Sequence, residues 1–155
     1  MGGGWVSKCW PAERYGELHR KIAERFGWRG VISFGPGEEN LAREVISAAA
    51  NPRPAATPLG LGPLMALLRA AKFVVSADTG PLHLASALGR PVVGIYGPTD
   101  PSRNGPFGTR FIVLRSPESR RDHTRRAAPE AGLLTIQPSD VLRAADALLY
   151  PESAS

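Results

Sequence analysis

The stretch Ser76-Ala-Asp-Thr-Gly-Pro-Leu-His-Leu-Ala-Ser-Ala-Leu-Gly-Arg-Pro-Val-Val-Gly-Ile-Tyr-Gly-Pro-Thr-Asp-Pro-Ser-Arg-Asn-Gly-Pro-Phe-Gly108 decides how this sequence is read. The apolar run Phe73-Val74-Val75 leads into it and reads as a short buried strand. Thr79-Gly80-Pro81 then turns the chain into a helix through Leu84, Ala87 and Leu88, which Gly89 ends. Pro91 to Tyr96 is again apolar and strand-like, followed by a loop rich in Gly and Pro. A strand, a helix and a second strand in this order form a parallel crossover unit.

Working outward, the same alternation continues on both sides. Towards the amino end, Val31-Ile32-Ser33-Phe34 reads as a buried strand ended by Gly35-Pro36-Gly37. Before it, Tyr15, Leu18, Ile22 and Phe26 recur at helical spacing behind Pro11. After it, Leu41, Val45, Ile46 and Ala49 mark a helix that Asn51-Pro52 and Pro54 interrupt. Ala55 to Thr57 forms a further short strand, and Leu64, Leu67, Leu68 and Ala71 a further helix. Towards the carboxyl end, Phe111 to Leu114 is the last strand. A polar segment from Ser116 to Pro129 precedes a closing helix near Ser139, carrying Val141, Ala145, Leu148 and Leu149. The expected fold is α/β and Rossmann-like, a parallel sheet with helices on both faces. One such domain spans residues 1–150, with 151–155 as a tail.

Composition agrees. The chain has 155 residues, 43% hydrophobic and 21% charged, as in a single soluble globular domain. No apolar run reaches the roughly 20 residues needed to cross a bilayer, and the amino end lacks the pattern of a signal peptide. The lone Cys9 excludes an internal disulfide framework. The expected location is the cytoplasm, with peripheral association at the inner membrane compatible with it. The net charge of +5 raises nucleic acid as a partner, but no aromatic platform accompanies the arginines. The cluster Arg115, Arg120, Arg121, Arg125 and Arg126 reads as a solvated, mobile loop, and nucleic-acid binding is not expected. No group of His, Asp and Cys has the spacing of a metal site, and no cofactor is expected.

Ligands of such sheets bind beyond the carboxyl ends of the strands. That rule selects the loops Gly2 to Lys8, Gly35 to Glu39, Ala77 to His83 and Gly97 to Gly108. Asp78-Thr79-Gly80 follows a strand and opens a helix, where free amides and the helix dipole favour an anion. Gly80 admits close approach of a phosphate, and His83 stands near enough to donate to it. The plainer alternative is that Asp78 or Thr79 caps the helix and His83 packs on it. Lys8, beside a glycine turn, either pairs with phosphate or is solvated. Glu38 suits two ribose hydroxyls, with Glu39 in reserve; either is otherwise a helix-start charge.

Residues 78–108 resemble closely the signature of glycosyltransferase family 9, the heptosyltransferase group. That signature reads D-[ST]-G-P-x-H-L-A-x-A-L-G-x-P-x-V, then G-P-T-D-P-x-x-x-G-P-[FYW]-G. Every fixed position is matched. Gly2-Gly3-Gly4-Trp5-Val6-Ser7-Lys8-Cys9-Trp10-Pro11 resembles the family's glycine turn followed by K-x-W-P, and Phe34 to Glu39 its G-P-x-E turn. The resemblance covers most of the chain and is weakest from Ser116 to Glu130.

The resemblance implies the carboxyl-terminal, donor-binding half of a two-domain GT-B enzyme. Such an enzyme transfers heptose from ADP-heptose to the lipopolysaccharide inner core, with inversion and without a metal. Asp78 would bond sugar hydroxyls. Lys8, Thr79, Gly80 and His83 would hold the diphosphate, Glu38 the ribose, and Thr99 would touch the donor. Asp100 is expected to serve as an internal turn acceptor. The general base is expected in an amino-terminal acceptor domain that these 155 residues do not contain, so no catalytic residue is assigned. The isolated chain is expected to be inactive. Alternatives are a non-catalytic nucleotide-binding module, or a GT-B transferase using another nucleotide sugar.

The family pattern also places a strand immediately before Gly2, at the centre of the sheet. Its neighbours would be the Val31 and Phe73 strands. The expectation is therefore a gap there, direct pairing of those two strands, or a strand borrowed from another chain.

Overall fold

The computed structural model describes residues 9–119 and 128–151. Helix α1 (Ala12–Phe26) leads to strand β1 (Val31–Phe34), helix α2 (Glu39–Ala49) and strand β2 (Ala55–Pro58). Helix α3 (Leu61–Ala70), strand β3 (Val74–Ala77), helix α4 (Gly80–Ala87) and strand β4 (Val92–Tyr96) follow. A short helix α5 (Pro101–Asn104) lies in the loop before strand β5 (Phe111–Arg115). A 3-10 turn at Leu133–Thr135 precedes the closing helix α6 (Pro138–Leu149). The expected elements are found to within a residue or two at their ends; α5 and the 3-10 turn lie in segments read from the sequence as loops.

All described pairings are parallel, β1 with β2, β3 with β4, and β4 with β5. The fold is the Rossmann-like α/β arrangement read from the sequence. Strand β4 shows why it holds. Val93 and Ile95 enter a core formed with Trp10, Tyr15 and Leu18 of the α1 side and Val141, Ala145 and Leu148 of α6. Val92 and Tyr96 enter a second core with Leu68 of α3 and Leu82 and Ala85 of α4. Side chains alternate across a strand, so one apolar run serves both helix layers. Val92, Val93 and Ile95 are at most 1% exposed, and each such burial stabilises by about 1.5–3 kcal/mol. Gly94 is the exception in the run because a Cβ there would stand 2.8 Å from the Tyr96 ring.

The segments that lead into α1 and α6 close on each other. Trp10, fully buried, donates from Nε1 to the Ile136 carbonyl at 3.1 Å, and Arg14 donates to the same oxygen at 2.6 Å. Trp10 also meets Tyr15 edge-on at 4.9 Å between ring centres. Helix α6 starts on a capping box, Gln137 with Asp140, which satisfies donors that a helix start would leave open. No described helix is long and apolar enough to cross a membrane.

The sheet is in two pieces, β2-β1 and β3-β4-β5. This is the doubly wound order with no described strand at its central position. Of the three expected outcomes, direct pairing is not seen among the described residues: β1 and β3 do not pair. A cleft of about 640 Å³ separates them, with walls that include Leu18, Ile32, Leu68, Phe73 and Val75.

Candidate functional site

The polar residues singled out in the sequence lie where the strands end. Chain reversal after β3 puts Asp78 and Thr79 at the start of α4, with Pro81 in its first turn. The His83 imidazole Nε2 lies 3.2 Å from Asp78 Oδ1. The Asp78 side chain is only 9% exposed and His83 43%. A nearly buried carboxylate needs such a partner, and the imidazole is thereby held at the mouth of the turn.

Thr79 faces inward. It is the N-cap of α4 but makes no side-chain cap; its hydroxyl lies 2.9 Å from that of Ser76, in a buried pair. Its carbonyl accepts from Leu82 and His83, and Pro81 has no N–H to offer. Gly80 is therefore the first-turn residue whose N–H has no backbone acceptor among the described residues. It is exposed, with no atom within 4 Å of where a Cβ would stand. Backbone and dipole there suit a negatively charged group.

The loop after β4 is tied down from within. Tyr96 donates its hydroxyl to the Asn104 carbonyl at 2.7 Å. Burial raises its pKa above the ordinary range, and the nearby charge of Asp78 adds to this. Asp100 Oδ1 accepts from the Ser102 N–H at 3.0 Å and its hydroxyl at 2.8 Å, capping α5. It is the internal turn acceptor expected from the sequence. Thr99 is 4% exposed, and its hydroxyl has no partner among the described residues.

After β1, the Glu38 carboxylate accepts from the Gly35 N–H at 2.9 Å and closes its own turn. Glu39 accepts from Gly37 at 3.3 Å. Tyr15 of α1 belongs to this corner. Burial pushes its phenol above the usual range, and the charges of Cys9 and Glu38 add to the effect. A backbone hydrogen bond with Ala77, at the end of β3, acts in the opposite direction. Lys8, next to Cys9, lies outside the described residues. Among the described residues no group of His, Cys, Asp and Glu is placed to hold a metal.

One sequence expectation is corrected. Arg115 is not part of a solvated loop but the last residue of β5. It donates to the Gly97 carbonyl at 3.1 Å and to the Ser119 carbonyl at 2.7 Å. The other arginines of that cluster, Arg120, Arg121, Arg125 and Arg126, lie outside the described residues. Sequence reasoning also missed Glu130, whose carboxylate accepts from the Ser119 hydroxyl at 2.9 Å and the Leu133 N–H at 3.0 Å. Arg115 and Glu130 brace the Gly97 loop from behind. Neither was evident from the sequence, because the contacts with Gly97 and Ser119 span 18 and 11 residues.

A family model, Glycosyltransferase family 9 (heptosyltransferase), matches residues 2–133. Lipopolysaccharide heptosyltransferase 2 of Escherichia coli (strain K12) is 32% identical over 157 residues, covering 96% of this chain and 44% of that protein. The structure of E. coli ADP-heptose lps heptosyltransferase II superposes with a TM-score of 0.84 at 27% identity, covering 99% of this chain and 46% of the other. E. coli heptosyltransferase WaaC with ADP superposes at 0.72 and 31% identity, covering 92% and 40%. The chain thus spans less than half the length of these relatives. With the signature at the ends of β3 and β4 and the fold in agreement, the chain belongs to glycosyltransferase family 9.

Proposed function

We propose that this chain is the donor-binding half of an inverting glycosyltransferase that moves heptose from ADP-heptose to the lipopolysaccharide inner core, working in the cytoplasm. The observation that carries the reading is the Asp78–His83 pair, set at 3.2 Å beside the open Gly80 amide at the start of α4. It combines an acceptor for sugar hydroxyls with donors for phosphate, within one helical turn.

The division of labour follows from burial. Asp78, nearly buried, takes hydroxyls as an acceptor. The more exposed His83 and the Gly80 N–H address the diphosphate, Thr79 contributing through its backbone because its hydroxyl is turned to Ser76. Lys8 adds a point charge for the same group. Glu38 receives the ribose, exchanging its contact with Gly35 for the sugar hydroxyls. Thr99 supplies a further hydroxyl beneath the donor. Together these groups offset charge that develops on the departing nucleoside diphosphate. Deprotonation of the acceptor hydroxyl falls to a base outside this chain.

Titration calorimetry of the purified chain with ADP and with ADP-heptose tests the reading. Saturable binding of both is expected, with UDP weaker. No heat with either adenine ligand would remove the proposal.

A further inference from the structure

The connection from β4 to β5 opens with residues 97–104, and side chains of the sheet pin both ends of that stretch. At its start the Arg115 guanidinium donates from Nε to the Gly97 carbonyl at 3.1 Å and from Nη2 to the Ser119 carbonyl at 2.7 Å. At its close the hydroxyl of fully buried Tyr96 donates to the Asn104 carbonyl at 2.7 Å. Between the pins Asp100 caps α5, and Pro98 and Pro101 each fix a backbone φ angle. Little room lies behind Gly97, where a Cβ would stand 3.4 Å from Leu133 Cβ. The stretch is a braced wall. One polar group in it is uncommitted: the Thr99 hydroxyl is buried without a partner among the described residues, and a buried hydroxyl left unpaired is costly.

The strands set where this wall stands. β1 faces β3 across the cleft, and β4 pairs with β3 on its other side. The parallel register puts Ala77 beside Ile95, so Asp78 and Tyr96 leave the sheet as neighbours. The loops carrying Glu38, Asp78 and Thr99 therefore follow one another in that order along the carboxyl ends of the strands. A ligand with its ribose at Glu38 and its diphosphate at Gly80 runs towards β4, and its sugar ends against the wall.

We propose that residues 97–104 form the surface that reads the sugar of the donor, and that Tyr96 and Arg115 are positioning residues that hold it in place. The inference rests on the donor reading given above and adds which part of the donor this loop addresses. The wall discriminates in two ways. Its pinned backbone limits the room for the sugar, and the Thr99 hydroxyl pairs with a sugar oxygen that the nucleoside diphosphate alone lacks. That hydroxyl is covered by its surroundings and reaches the ligand through a change of χ1 rotamer. A binding group is useful only if its support is rigid. Arg115 suits this because one planar guanidinium spans two carbonyls, one in the loop and one beyond β5, which an ammonium on a flexible stem does not fix equally.

The test uses the 155-residue chain and its Tyr96→Phe, Arg115→Met, Arg115→Lys and Thr99→Val variants. Amide hydrogen exchange without ligand reads the pins. Residues 97–104 are expected to exchange at least about tenfold faster in Tyr96→Phe and Arg115→Met, with residues 74–87 unchanged. Calorimetry then compares ADP with ADP-heptose. ADP affinity is expected to stay within about twofold of the unsubstituted chain, while ADP-heptose affinity falls by about three- to tenfold, with Arg115→Lys in between. Thr99→Val is expected to show the same selective loss at unchanged exchange, and full ADP-heptose affinity in it overturns the part given to the hydroxyl. Equal losses for both ligands overturn the proposal, because general damage to the site spares neither. Unchanged ADP-heptose affinity beside faster exchange overturns it, since the loop then does not meet the sugar, and so does unchanged exchange. Should Arg115→Met fail to fold, Tyr96→Phe, which removes a single oxygen, carries the test. An unsubstituted chain that binds neither ligand overturns the donor reading itself and this inference with it, an outcome separate from any difference between the variants.

Discussion

His83 and Asp78 form a polar pair at the mouth of the turn between β3 and α4, with Nε2 and Oδ1 3.2 Å apart. The two residues are five apart in sequence, so the turn and the first helical residues bring them together without help from the rest of the fold. Their unequal burial makes the carboxylate the anchor and the imidazole the exposed member.

Asp78→Asn keeps the shape of this pair and removes its charge. Donor affinity is expected to fall by the worth of one hydrogen bond, about 0.5–1.5 kcal/mol or roughly two- to twelvefold, with Tm little changed. Calorimetry with ADP-heptose beside thermal unfolding checks both, and unchanged affinity would remove Asp78 from the donor site.

The isolated chain is expected to bind nucleotide sugar and transfer none. It spans 44% of its full-length relative, and none of its described polar groups is better placed as a base than as a binding group. Incubation with ADP-heptose and a lipopolysaccharide inner-core acceptor, followed by mass spectrometry, decides this. Glycosylated acceptor above the hydrolysis background would contradict it.

Gly16→Ala is expected to destabilise, although alanine in an exposed helix interior stabilises by nearly 1 kcal/mol over glycine. A Cβ at Gly16 would lie 2.6 Å from the Ala48 Cβ and 2.7 Å from the Ala49 nitrogen. Both lie on the facing helix α2, so backbone would have to move. Overpacking of this kind costs about 1–3 kcal/mol. Urea unfolding should show a lower midpoint at unchanged slope.

Stability is expected to fall as pH drops below about 6.5, the ordinary histidine value. His19 is buried, and its Nε2 accepts the Gly30 N–H at 3.0 Å. Burial first, then the charge of Arg29, lowers its pKa. The unfolded chain therefore takes up a proton at a higher pH than the folded one. The contribution of His19 is complete above the unfolded value and is lost as pH falls towards the folded one. His19→Gln, which keeps an acceptor for Gly30 and cannot titrate there, should flatten the Tm profile between about pH 5 and 7. An unchanged slope would assign the acid sensitivity to other groups.

By itself the sequence determined the α/β alternation, the parallel sheet and the loops that hold the polar residues. Those features rest on short-range rules. The Val92–Tyr96 run declares a buried strand, Thr79-Gly80-Pro81 a helix start, and Asp78 and His83 come together within a single turn. Tertiary structure decided what depends on distant partners. Arg115 looked like one of a run of solvated arginines, yet it braces the Gly97 carbonyl from 18 residues away. Thr79 looked like a cap or a ligand, yet its hydroxyl is spent on Ser76 behind it. Trp10 was part of a motif, and only the fold shows it bonded to Ile136, 126 residues on. Glu130 carried no signal at all. The physical reason is common to these cases: a buried polar group must find a partner, and which group supplies it depends on how the layers pack.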